Sequence, residues 1–227
     1  MELEVNKMKT VRNQFNEIDK LVRLYDQQDR LTNKKIVITN DAEGIGALLA
    51  ILVAREGAEV LFMHNREPLM AFEVAFRIDE AGGRVIISEG DWSSVENVTR
   101  LVEVVQNFWG SVDAVFNTVP RGSYMLTKKV SPFLSENGHI INMVQSKLDR
   151  RHPKVARFLD AEVALTDLTY DLNENKLLRN KSISIVGIHH DSNDKSKLGD
   201  VSSLCLPILT KQIIPNELIL ETSRENR

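Results

Sequence analysis

One cysteine in 227 residues, Cys205, leaves no room for an intrachain disulfide or a cysteine-built zinc cage, and fits a reducing compartment. It sits in the apolar run SSLCLPIL, which reads as a buried, inert thiol rather than a nucleophile. No unbroken apolar stretch reaches the roughly 18 residues that a membrane span requires. The opening MELEVNKMK lacks the apolar core of a secretion signal, so a cytoplasmic location without membrane attachment is expected. A large excess of one charge is missing too. A net charge of −3 gives no general electrostatic reason to seek nucleic acid or an anionic bilayer. What the chain does have is 42 % hydrophobic content, enough at this length to bury a full core in a single domain.

That content is arranged in short β-branched runs: KKIVITN, AEVLFMH, GRVIISEG, VDAVFNT, GHIINMV, SISIVGIHH and ELILET. Amphipathic stretches separate them, and the alternation predicts an α/β protein with a doubly wound, about seven-stranded parallel sheet and helices on both faces. Glycines 57, 82, 83, 110 and 138 fall just before the second to fifth runs, where a glycine readily ends a helix. Ahead of the first run, Met8, Val11, Phe15, Ile18, Val22 and Tyr25 recur at alternating spacings of three and four, which predicts an N-terminal amphipathic helix. With fewer than three heptads the helix cannot stand alone, so its stripe is covered either by its own domain or by another subunit. Residues 1–32 are accordingly an N-terminal helical extension and 33–227 one domain.

Four motifs then coincide in order and spacing. TNDAEGIG (39–46) is similar to TGxxxGIG, and GDW (90–92) ends the third run. VDAVFNTVP (112–120) resembles a D-x-L-V-N-N-A-G strand end, and GHIINMVQ (138–145) a G-x-I-V-N-I-S-S strand. From residue 33 to about 222 the chain resembles a short-chain dehydrogenase/reductase, a divergent one, which implies a Rossmann-type fold and a nicotinamide cofactor.

The resemblance places the cofactor on Asn40, Gly44, Ile45, Gly46, Arg66, Asp91, Trp92 and Asn117. Loop glycines let the backbone approach a pyrophosphate at the first helix N-terminus, where free N–H groups favour anions. Asn40 replaces the first of three glycines and is among the few residues that tolerate the left-handed region. Gly44 and Gly46 serve equally well to let the helix pack tightly on the sheet, and Asp91 and Asn117 to cap a helix or close a turn. After the second strand no acid stands where NAD would need one, and Arg66 could reach the phosphate of NADP. Glu43, in the loop, opposes that phosphate.

The reaction centre departs further. In such enzymes a tyrosine exchanges the proton, a lysine four residues on lowers its pKa, and a serine thirteen residues upstream polarises the substrate carbonyl. Here those positions hold Phe158, Glu162 and Gln145. Phenylalanine has no proton to give, and Glu162 reverses the charge that would activate a phenol. Ser146 is one position late. The 17 residues between NTVP and GHIINM are too few for the substrate loop and long helix of the family, and His190 and Asp191 replace its Pro-Gly turn.

Other chemistry is sparse. His189, His190, Asp191 and Asp194 read as a polar turn rather than a metal site, because adjacent residues on a strand point opposite ways and cannot readily chelate one ion; no metal is expected. Arg150, Arg151, His152, Lys154 and Arg157 form a phosphate grip or a solvated loop. Tyr124 and Tyr170 read as packing or surface phenols.

The expectation is therefore a catalytically degenerate relative with no catalytic residues of its own and no cofactor, or weak NADP(H) binding. It would act as a structural or binding subunit in a homo- or hetero-oligomer with a related chain, with a small-molecule ligand open. Two alternatives stand: an NADP(H) sensor without turnover, and an NADP(H)-dependent carbonyl reductase or non-redox enzyme with a rebuilt site.

Overall fold

A computed structural model describes residues 2–39, 44–65, 68–92, 94–118, 120–145, 155–174, 184–190, 205, 207 and 219–221. Helix α1 (Glu2–Val22) leads into β1 (Lys35–Thr39), α2 (Ile45–Arg55), β2 (Glu59–His64), α3 (Pro68–Glu80) and β3 (Arg84–Glu89). Then come α4 (Val95–Val104), β4 (Val112–Asn117), α5 (Pro120–Val130), β5 (Leu134–Gln145), α6 (Val155–Glu174), β6 (Ser184–His190) and β7 (Ile219–Glu221). The strands pair in parallel in the order β3-β2-β1-β4-β5-β6-β7. This is a Rossmann-like α/β fold whose strand order reverses between β1 and β4.

The central strands read as continuous apolar runs because both faces of the sheet are covered. Ile36, Ile38, Val60, Phe62, Ala114 and Phe116 point to the side of α1, α2 and α3. Their neighbours Val37, Leu61, Met63 and Val115 point to the side of α4 and α5. β5 begins four residues earlier than its GHIINMV run, and its register with β4 slips between Val112 and Ala114. The interval before it is filled by the eleven-residue α5, which Pro120 opens at a position where its missing N–H is harmless.

Helix α2 is apolar around its whole circumference, and every residue from Ile45 to Ala54 is buried. One side lies on the sheet; the other is covered by α1, whose Phe15, Ile18 and Val22 join the same core. So α1 adds a layer outside the helix that opens the Rossmann unit, and the C-terminal half of its apolar stripe is covered within its own domain. Met8, at the other end of the stripe, stays 59 % exposed. Polar clasps fix the arrangement: Arg55 Nη1 donates to the Val22 carbonyl (2.8 Å), and the Arg77 guanidinium of α3 binds Asp19 (2.9 Å) while stacking 4.4 Å over the Phe15 ring. No helix among the described residues is long and apolar enough to cross a membrane.

Candidate functional site at the sheet switch point

Open α/β sheets bind ligands outside the C-terminal ends of their strands, where the strand order reverses. Here that edge is formed by Thr39 of β1, Asn117 of β4 with Thr118 just after it, and Asn142 of β5. All four are buried polar residues, so each must find a partner.

The partners are mutual. Thr39 Oγ1 donates to the Phe116 carbonyl (3.3 Å) and accepts from the Thr118 N–H (3.0 Å), while Thr118 Oγ1 donates to the Thr39 carbonyl (2.7 Å). These bonds close the end of β1 onto the end of β4. One strand over, Asn117 Nδ2 donates to Asn142 Oδ1 (2.7 Å) and to Thr127 Oγ1 of α5 (2.9 Å), and Thr127 Oγ1 donates to Asn142 Oδ1 (3.1 Å). Asn117 and Asn142 are register partners, so the amide ladder follows from the pairing itself. Asn117 Oδ1 is left without a donor among the described residues. None of these groups is ionisable. The arrangement locks strand ends and offers no proton donor or acceptor working near neutrality.

Gly44 is the N-cap of α2 and adopts φ +86, a conformation that a side chain makes costly. A Cβ there would also overlap the Gln14 amide of α1. The close approach that Gly44 permits is thus made, in this structure, by a residue of the extra helix. Ile45 and Gly46, buried in the first turn of α2, stand behind it. Asn40 and Glu43, the rest of the loop, lie outside the described residues, as do Arg66, Ser146, the 150–154 basic run, Asp191 and Asp194.

Asp91 is exposed, and its carbonyl closes a turn onto Ser94 (2.9 Å) while accepting from Asn97 (3.3 Å). Ser94, rather than Asp91, caps α4. Trp92 is 6 % exposed and packs in the second core with Met63 and Val98, so packing accounts for its presence. Gln145 is the last residue of β5 and pairs with His190 at the end of β6. Phe158 and Glu162 lie four residues apart in the first half of α6. Tyr124 and Tyr170 are 41 % and 46 % exposed, on the surface of α5 and α6. Among the described residues no three metal-ligating side chains gather. The buried Cys205 thiol is pushed far up by burial, which makes it a poor nucleophile.

His64, at the C-terminal end of β2, is the one titratable group near this edge whose pKa is clearly displaced among the described residues. Burial holds it below the ordinary imidazole value, against the pull of Glu89. Sequence reasoning passed over Thr39, Thr118, Thr127, Asn142 and Gln14. An asparagine in the middle of HIINMV, a strand apolar on both faces, is a readable sign of a buried amide network; nothing local marks Gln14 as the neighbour of Gly44.

Residues 34–122 match the family model of the short chain dehydrogenases. Within that family's curated proteins, a short-chain dehydrogenase/reductase of Cladobotryum sp., FrzI, is 31 % identical over 87 residues, which is 38 % of this chain and 34 % of the relative. A probable tetrahydroxynaphthalene reductase of Zymoseptoria tritici is 26 % identical over 142 residues, 52 % of this chain and 53 % of its own. The chain thus spans about a third to a half of the length of these two relatives. Among solved structures, a short-chain dehydrogenase/reductase mutant from Serratia marcescens has a TM-score of 0.71 at 18 % identity, covering 85 % of this chain and 97 % of the other. A metagenomic short-chain oxidoreductase in complex with NADP has a TM-score of 0.69 at 20 % identity, covering 86 % and 99 %. At these identities the structural likeness shows a short-chain dehydrogenase-like fold and leaves activity to the residues.

Proposed function

We propose that this protein is a catalytically degenerate short-chain dehydrogenase-like chain, acting in the cytoplasm as a binding or structural subunit rather than passing hydride. The observation that carries the reading is on α6. Phe158 and Glu162 stand four residues apart in this helix, where the resemblance calls for a tyrosine and a lysine, and β5 ends on Gln145 in place of the serine. A phenyl ring cannot exchange a proton, and a carboxylate disfavours a neighbouring phenolate. The uncharged locks among Thr39, Thr118, Asn117 and Asn142 support it, since apart from Asn117 Oδ1 these switch-point side chains are taken up by one another. Nucleotide binding is absent or weak on this reading, because Gln14 lies against the glycine that would face a pyrophosphate. The domain proper runs from 33 to 227, with 1–32 as an extension docked on it.

The test is direct. Purified protein is mixed with NADPH or NADH and a broad panel of aldehydes and ketones, and absorbance at the nicotinamide band is followed. No consumption above the uncatalysed rate is expected; turnover abolished by Phe158→Ala or Glu162→Ala would overturn the proposal. Thermal shift at millimolar nucleotide is expected to be small, whereas a Kd 100-fold below the ligand concentration would stabilise by about 2.7 kcal/mol.

A second reading has one specific support: relatives that match this chain are named as reductases. On it the chain is an NADP(H)-dependent reductase whose site has been rebuilt, and the same assay separates the two.

A further inference from the structure

We propose that the outer face of α1 and α3 is a self-association surface, on which two copies of this chain pair about a two-fold axis with their α3 helices antiparallel. The inference is independent of whether the chain turns over a substrate.

Large apolar side chains concentrate here to a degree that isolation in water does not explain. Phe72 is 67 % exposed, Met8 59 %, Phe76 49 % and Leu69 41 %, and all four line one groove between the helices. Leu69, Phe72 and Phe76 follow the three-and-four spacing of a single helical stripe, and Glu80 continues it. A contiguous apolar stripe of this kind marks an interaction site. It also explains the part of the α1 stripe, at Met8, that the domain leaves uncovered.

Charge selects the partner. Asp19 binds Arg77 near the C-terminal ends of both helices, so α1 and α3 run side by side in the same direction. Lys9 and Arg12 therefore flank the N-terminal half of α3, while Glu80 closes its C-terminal end, about 15 Å away at 1.5 Å per residue. None of these three makes an ion pair among the described residues, in contrast to Arg77, which is held by Asp19 and Glu73. A face that is apolar at its centre, basic at one end and acidic at the other is complementary to itself when turned around. A two-fold axis near the middle of α3 brings Arg12 and Lys9 of each copy opposite Glu80 of the other, so the ion pairs form twice. It also stacks Phe72 against Phe76 across the axis and sets the helix dipoles antiparallel. An anionic bilayer would instead meet Glu73 and Glu80 within its contact area.

The experiment uses the full chain, with sedimentation equilibrium over a concentration series. A reversible dimer is expected. Phe72→Glu should raise its Kd at least about 30-fold, as for a central aromatic anchor. Arg12→Glu and Glu80→Arg should each raise it about threefold to tenfold, and the double variant should return to within about twofold of the parent. Circular dichroism and Tm identify any variant that fails to fold. As a measurement free of that risk, Arg12→Cys/Glu80→Cys, which keeps both phenylalanines, should give a disulfide-linked dimer on mild oxidation, while Leu24→Cys, exposed elsewhere, should not. The inference is overturned if the chain stays monomeric at about 100 μM. It is equally overturned if the dimer ignores Phe72→Glu, if the charge-swapped double variant is no better than the singles, or if the face binds only a different protein.

Discussion

The two edges of the sheet are held together by different chemistry. At the N-terminal edge the fastenings are charged. Glu56, which ends α2, accepts from Arg30 through both guanidinium arms (3.0 and 2.8 Å) and from the Arg30 N–H (3.2 Å), tying the segment after α1 to the domain. Asp113, at the start of β4, accepts from Lys34 Nζ (2.8 Å), the Lys35 N–H (3.0 Å) and Ser135 Oγ (2.9 Å), joining β1, β4 and β5. At the C-terminal edge the side-chain bonds among the described residues that join the same three strands come from hydroxyls and amides. Among the described residues, the bonds that join β1, β4 and β5 are charged at the edge where ligands do not bind in such folds and neutral at the edge where they do. The two ends of the same three strands are thus held by separate means.

The largest effect should come from the charged edge. Glu56→Ala leaves Arg30 and two backbone N–H groups without their acceptor around a side chain 3 % exposed, and should lower unfolding free energy in urea by about 3 kcal/mol. Asn117→Leu, which strips partners from Thr127 and Asn142, should remove about 2 kcal/mol in the same titration. A larger loss from Asn117→Leu than from Glu56→Ala would break the contrast between the edges. Thr39→Val ends two of the three side-chain bonds that close the end of β1 onto β4 and should remove about 1–2 kcal/mol.

The contrast also predicts how each edge answers acid. Burial alone would raise the Glu56 carboxyl, but Arg30 and the backbone donors outweigh it and hold it below the usual carboxylate range; Lys34, Lys35 and Ser135 do the same for Asp113. A carboxyl lowered in the folded state contributes stability that is complete above its unfolded pKa and is lost as pH falls through the folded one. Urea titrations should show this loss setting in below about pH 4, and Glu56→Gln should flatten it. The smallest effect belongs to His64. Its imidazole is held neutral by burial, so stability should begin to decline as pH falls through about 6.5, where the unfolded chain takes up a proton first. His64→Gln should remove that slope and leave the carboxylate limb intact.

Much of this fold was legible because its physics is local. The runs KIVIT, EVLFMH and VDAVFN are apolar at every second position on both sides, and only a sheet covered on both faces accommodates that. Helix α1 was legible from the spacing of Phe15, Ile18 and Val22, but what covers it was not, since the stripe says only that something must. The early start of β5 was hidden by SENG, which reads as a turn and instead carries the register slip against Val112. At the candidate site, Gly44 and Asn117 were picked out by motif, whereas their neighbours Gln14 and Thr127 were not. Contacts spanning 30 residues, or crossing from strand to helix, leave no periodic trace. Placement of Gln145, Phe158 and Glu162 rests on strand and helix order, and their chemistry on residue type alone.

Helix α2 has a consequence of its own. In a three-layer sandwich its outer side would meet solvent; here α1 roofs it over, so its peptide hydrogens are shielded from every direction. The amides of Leu48–Val53 should then be among the last in the chain to trade for deuterium, and should do so only when the whole molecule opens. Peeling away α1 alone would let them exchange through a smaller, cheaper opening.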